Sequence, residues 1–138
     1  MTQNNENFTG RLMIYRDTDN NIQVDAILNT DNEVWNSKAQ LAELFQVSVD
    51  DIEVVITEIF TTGEMFKTQC LRIRQYVDTL GNKQHIEYYN LKMIIAVGLR
   101  LNSKIATELR MWSNNHLTTY VLDNDIDIYS IFKSPTLN

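Results

Sequence analysis

The sequence predicts an α+β domain in the order hairpin, helix-turn-helix-like pair, second and basic hairpin, closing helical pair. Three observations carry that prediction. Runs rich in β-formers come in pairs, each pair split by a turn of Asp, Asn, Gly and Thr. Between and after them lie stretches with apolar residues at helical spacing, each opened by a residue able to cap a helix. The length of 138 residues suits one apolar core and would leave two cores marginal.

Residues 1–10 are polar and Asn-rich without periodicity, so a flexible lead-in is expected there. Residues 11–15 and 22–28, separated by DTDNN, read as the first hairpin. From Trp35 the pattern turns helical. Ser37 with Gln40 has the form of a capping box and sets a start near Lys38, followed by the stripe Ala39, Leu41, Ala42, Leu44 and Phe45. Ser48 with Asp51 repeats the device ahead of Ile52, Val55, Ile56, Ile59 and Phe60, and Gly63 stands where a left-handed residue commonly ends a helix. Residues 69–77 alternate, DTLGNK is a turn, and residues 85–89 complete a second hairpin. Asn90 can cap a helix through Leu91, Ile94, Ile95 and Gly98, and Ser103 can cap another with the face Ile105, Leu109, Trp112 and His116. Those faces are expected to close the core, leaving residues 11–122 as the domain and 123–138 as an acidic tail.

Composition excludes several classes. A hydrophobic fraction of 43% with 22% charged residues is ordinary for a globular chain. No apolar run approaches the ~18 residues a membrane span needs, and the first fifteen residues lack the basic start and apolar block of a secretory signal, so a cytoplasmic location and no membrane partner are expected. Cys70 is the only cysteine, which rules out an internal disulfide or a multi-cysteine zinc site. The formal charge of -6 hides an asymmetry: residues 1–66 hold three basic and twelve acidic side chains, residues 67–110 eight basic and three acidic. A polyanion would meet the middle segment.

Two strings, VWNSKAQLAELFQVSVDDIEVVITEIFTTGEM and YYNLKMIIAVGLRLNSKIATELRMW, resemble the two most recognisable blocks of the RhuM family of virulence and prophage proteins, in its N-terminal module. Trp35, Ser37, Gln40, the run Ala42 to Phe45, then Ile59, Phe60, Gly63 and Glu64 fill the first pattern. Tyr89, Asn90, Leu91, Met93, Ile94, Val97, Gly98, Arg100, Ser103, Lys104, Arg110 and Trp112 fill the second. The resemblance covers roughly residues 11–122. It implies a regulator from a mobile element, distantly similar to the phage Bro-N and KilA-N DNA-binding domains. The chain departs from that pattern at the start of the second helix. Where relatives carry a turn glycine and then Arg, Ser, Thr and His, this sequence reads Gln46 to Glu53, with Asp50, Asp51, Glu53 and Glu58 on the helix expected to enter a groove.

Two partner classes follow. The lead expectation is nucleic acid, contacted through the basic hairpin and its surroundings: Lys67, Arg72, Arg74, Lys83, Lys92, Arg100 and Lys104. Tyr76 and Tyr88 can stack on bases or pack in the core. The rival is a protein-directed inhibitor, antitoxin-like or anti-CRISPR, in which Asp50, Asp51, Glu53 and Glu58 cover a basic nucleic-acid-binding surface. Against both stand the plain readings of a structural helical hairpin and a solvated strand face. A homodimer is compatible with either. Arg100 and Arg110 can each pair with a carboxylate or carbonyl, or grip a phosphate. His85 and His116 lack companions for a metal site, and the calcium-like spacings in DTDNN and DNDID lack the glycine and terminal glutamate of a calcium loop. With no nucleophile constellation or glycine-rich phosphate loop, no enzyme and no cofactor are expected.

Overall fold

The computed structural model describes residues 9–124, and the expected α+β order is observed. The first hairpin pairs β1 (Arg11–Arg16) with β2 (Ile22–Ile27) in register from Arg11 opposite Ile27 to Arg16 opposite Ile22. A three-stranded antiparallel sheet follows the order β3-β5-β4, from β3 (Trp35–Ser37), β4 (Leu71–Val77) and β5 (Lys83–Asn90). The short strand β3 was not visible as periodicity, because three residues cannot show an alternation. It forms by pairing with the base of β5, Trp35 opposite Asn90 and Ser37 opposite Tyr88.

Helix α1 (Lys38–Phe45) starts at the Ser37 box: the hydroxyl accepts from the Gln40 N–H at 3.2 Å and the Gln40 amide oxygen accepts from the Ser37 N–H at 2.9 Å. It ends on Gln46 in the left-handed region, φ 59°, where a glycine would fit without steric cost. Helix α2 (Val49–Thr62) opens on the Ser48–Asp51 box and closes on Gly63 at φ 78°. Residues 69 and 70, read as the start of a strand, instead belong to a single helical turn, α3 (Lys67–Cys70). There the Gln69 side chain accepts from the Phe66 N–H at 2.9 Å, and that local bond overrides the weak alternation. Asn90 caps α4 (Leu91–Arg100), and Ser103 caps α5 (Lys104–Asp123).

The core gathers the inward stripes of these elements: Leu41 and Phe45 of α1, Ile52 and Ile59 of α2, Met93, Ile94 and Val97 of α4, and Leu109 of α5. Cys70 and Tyr89 complete it, and burial pushes both the Cys70 thiol and the Tyr89 phenol above their ordinary ranges. Only the first turns of α5 close this core, through Ala106, Glu108 and Leu109. The face expected to continue through Trp112 and His116 does not: Trp112 is half-buried and His116 exposed. The two rings stack on each other instead, centroids 3.9 Å apart. The first hairpin docks on α5, where the Arg16 guanidinium meets the buried Glu108 carboxylate at 3.0 Å. Thr9 and Gly10, assigned to the lead-in, are buried, and Asp123, assigned to the tail, is the last residue of α5. The remainder of both segments, residues 1–8 and 125–138, lies outside the described residues.

Candidate nucleic-acid interface

The second hairpin stands clear of the core. Residues 72–77 of β4 and 83–85 of β5 are exposed on both faces, whereas the base of β5, Tyr88 and Tyr89, is buried. Strand alternation sorts its side chains. Arg72 opposite Tyr88, Arg74 opposite Ile86 and Tyr76 opposite Gln84 share one face. Ile73 opposite Glu87, Gln75 opposite His85 and Val77 opposite Lys83 share the other. Arg72 and Arg74 therefore lie in line, while Lys83 sits beside the turn on the reverse face. The three form a cationic ribbon with two sides, not a single row.

Each expected cation has a distinct setting. Arg72 lies with its guanidinium 4.2 Å from the Trp35 ring and 3.9 Å from Glu33, whose carboxylate also accepts from the Trp35 indole N–H at 2.8 Å. It seals the base of the sheet. Arg74 is exposed further out. Tyr88, on the same face as Arg72 and Arg74, is 5% exposed, and burial raises its phenol while the Arg74 charge partly offsets that rise. Tyr88 is thus a packed residue, and Tyr76, 47% exposed, is the tyrosine available for stacking. Lys67 has its ammonium 5.8 Å from the Phe60 ring centroid. Arg100 is clasped between Glu64 at 2.6 Å and Glu58 at 3.7 Å, the carboxylate pairing its motif allowed. Arg110 donates to the Leu101 carbonyl and to Thr107. Lys83, Lys92 and Lys104 are exposed and form no ion pair among the described residues.

The acidic residues of α2 are largely engaged within the chain. Asp51 accepts from the Ser48 N–H, Glu53 lies 3.5 Å from Lys38, and Glu58 pairs with Arg100. Asp50 is exposed. Lys38 also reaches Glu87 at 3.7 Å, so one lysine joins α1, α2 and β5. Among the described residues no group of three potential ligands could hold a metal ion.

The tip of the second hairpin is built by Asp78. Its Oδ1 accepts from the Leu80 and Asn82 N–H groups, both at 2.9 Å, and its Oδ2 accepts from the Gln84 amide at 3.1 Å. These bonds hold the carboxyl below the usual range. The Gly81 N–H donates to the Asp78 carbonyl at 3.0 Å, and Gly81 takes φ 83°, a conformation glycine adopts without steric penalty. The first hairpin contains the same turn. Asp17 accepts from the Asp19 and Asn21 N–H groups and from the Gln23 amide, all at 2.9 Å, and Asn20 takes the left-handed place at φ 66°. The strings DTDNNIQ and DTLGNKQ carry this repeat in the sequence, a signal that a search for long periods passes over. Asp78 is engaged in the turn and Glu87 is held by Lys38 and the Tyr89 hydroxyl, and the outer ribbon exposes Arg74, Lys83 and His85.

The fold and site define a small α+β module: a two-helix unit and a capped helical core from which a cationic β-ribbon extends. Residues 67–126 match the family described as virulence protein RhuM family, which bears out the RhuM reading of this chain. The match takes in α3, the β4–β5 hairpin, α4 and α5, and so the second motif block; the first block, with α1 and α2, lies before it. No curated protein and no solved structure matches the chain. No helix among the described residues is long and apolar enough to cross a membrane.

Proposed function

We propose that this RhuM-family, virulence- and mobile-element-associated chain is a non-enzymatic regulatory module that binds nucleic acid through the β4–β5 hairpin. The observation that carries the reading is the ribbon itself: exposed on both faces, bearing Arg74 and Lys83, with its own turn aspartate consumed by backbone N–H groups. A two-stranded ribbon fits a duplex major groove, and cations on both sides can face the phosphates of the two walls. Lys92 and Lys104 are further cations for backbone contact, while Arg72 and Arg100 contribute mainly to holding the sheet and α2 in place. Less supports the rival reading of a protein-directed inhibitor, since three of the four carboxylates it needs, although exposed, already have a partner within the chain.

Fluorescence anisotropy with labelled duplex and single-stranded oligonucleotides at low salt tests the proposal. Binding should weaken steeply as salt rises, and Arg74→Ala/Lys83→Ala should flatten the slope of log affinity against log salt by roughly 2, about one per lost phosphate contact. Absence of binding to every nucleic acid at low salt would end it. A protein partner captured by the intact chain and lost in Asp50→Lys would favour the rival.

A further inference from the structure

The apex of the cationic hairpin carries an apolar residue that the turn does not require. Leu80 is 83% exposed, and Val77 at the foot of the same turn is 64% exposed. Single exposed apolar residues are common and need no explanation on their own. Here the molecule supplies its own control. The twin turn at residues 17–23 has the same aspartate hub, the same hydrogen bonds and the same left-handed fourth residue, yet Asp19 stands where Leu80 stands. A charged side chain therefore satisfies this position, and neither turn formation nor core packing accounts for leucine at it.

The setting argues for what meets the leucine. The backbone at Leu80 is fixed, since its own N–H is bonded to Asp78 and the adjacent Gly81 N–H closes the turn. Lys83 lies just past it and Arg74 further back along the ribbon, so a surface approaching the tip meets an apolar point flanked by positive charge. We infer that Leu80 is an apolar wedge, inserted between two stacked bases of a duplex while Lys83 and Arg74 hold the flanking phosphates. This rests on the nucleic-acid reading above and adds a mode of contact to it. Apolar wedges that enter from the minor groove partly unstack a base step and kink the duplex, at an energetic cost that falls where the step is already weak, so in this mode the tip meets the minor groove while the ribbon's cations still face phosphates. The expected target is a flexible pyrimidine–purine step, or a duplex with an unpaired base.

The test uses the full chain and short duplexes carrying 2-aminopurine at one step, whose fluorescence rises on unstacking. Leu80→Asn, the neutral counterpart of Asp19, keeps the turn chemistry, and unchanged circular dichroism checks the fold. Saturating wild-type protein should raise the fluorescence roughly twofold or more, and a duplex with an unpaired base should bind about tenfold tighter than a fully paired one. Leu80→Asn should abolish both effects while keeping salt-dependent binding. Duplex binding without a fluorescence rise, or a rise that survives Leu80→Asn, overturns the wedge and leaves the nucleic-acid reading standing. Loss of all nucleic-acid binding in the wild type overturns both. Binding to phosphatidylserine vesicles that is lost in Leu80→Asn, with no change in 2-aminopurine, overturns the wedge in favour of a membrane contact.

Discussion

Replacing Gly98 by alanine sets two opposing terms against each other at the centre of the fold. Gly98 lies in α4, where alanine would gain about 1 kcal/mol from helix propensity. A Cβ there would stand 2.5 Å from Leu109 Cδ2 and 2.6 Å from Phe45 Cζ. Ordinary carbon contacts begin near ~3.5 Å, so both side chains would have to retreat by about 1 Å. They are the far ends of side chains, which can yield when there is space, but Leu109 is 1% exposed and Phe45 fully buried. Overpacking of this kind costs about 1–3 kcal/mol. The steric term wins, and the expected net loss is about 1 kcal/mol, a few degrees in Tm. Urea unfolding followed by circular dichroism measures it. The Phe45 share of the cause is tested by Phe45→Leu, which removes the ring atoms at 2.6 and 2.8 Å and leaves the Leu109 contact: Gly98→Ala should be less harmful in that background than alone. If Gly98→Ala raises the unfolding midpoint, or if the two changes are simply additive, the close approach of α4 to α1 and α5 is not what fixes glycine here.

Three further outcomes follow from the same geometry. Glu108→Ala should loosen the first hairpin against α5, because Arg16 then loses its carboxylate while Leu12, Ile14 and Val24 still pack on the core; a cost of about 1–3 kcal/mol in urea unfolding is expected, reduced from the fully buried case by the exposure of Arg16, and Arg16→Ala should cost more than Arg16→Lys. Cys70 is fully buried and its thiol is raised by burial, so a thiol reagent at mildly alkaline pH should modify it only at the rate of unfolding; rapid reaction with the native chain would place it elsewhere. The Asp17 and Asp78 carboxyls are both held low by the turn N–H groups and by Gln23 and Gln84, so their ionised forms stabilise the folded turns. That contribution is present above the ordinary carboxylate pKa and is lost as pH falls through the depressed folded values. Amide exchange at Asp19, Asn21, Leu80 and Asn82 should therefore gain relative to the rest of the chain in acid, and Asp78→Ala should produce the gain at Leu80 and Asn82 at neutral pH.

Helix starts were legible because capping is local chemistry. Ser37 with Gln40, Ser48 with Asp51, Asn90 and Ser103 each satisfy backbone N–H groups within four residues, and each stands where the spacing set it. The two hairpins were legible for the same reason, since an aspartate folding the next few residues around itself needs no distant partner. The candidate site was only half legible. Its cations could be counted, but their sides could not be assigned until the register put Lys83 opposite Val77 and away from the Arg72 and Arg74 face. Their engagement was hidden too: the clasp on Arg100 comes from Glu58 and Glu64, and the cover over Trp35 from Arg72, all distant in sequence.

By itself the chain determined the order and limits of most elements, the family resemblance and the uneven charge, because these follow from spacings of a few residues or from composition. Only the tertiary structure decided which charges are consumed inside the molecule, how far along α5 the core extends, and that β3 exists at all. Those depend on which surfaces meet across the fold, and burial or pairing between remote segments leaves no periodic mark in a sequence.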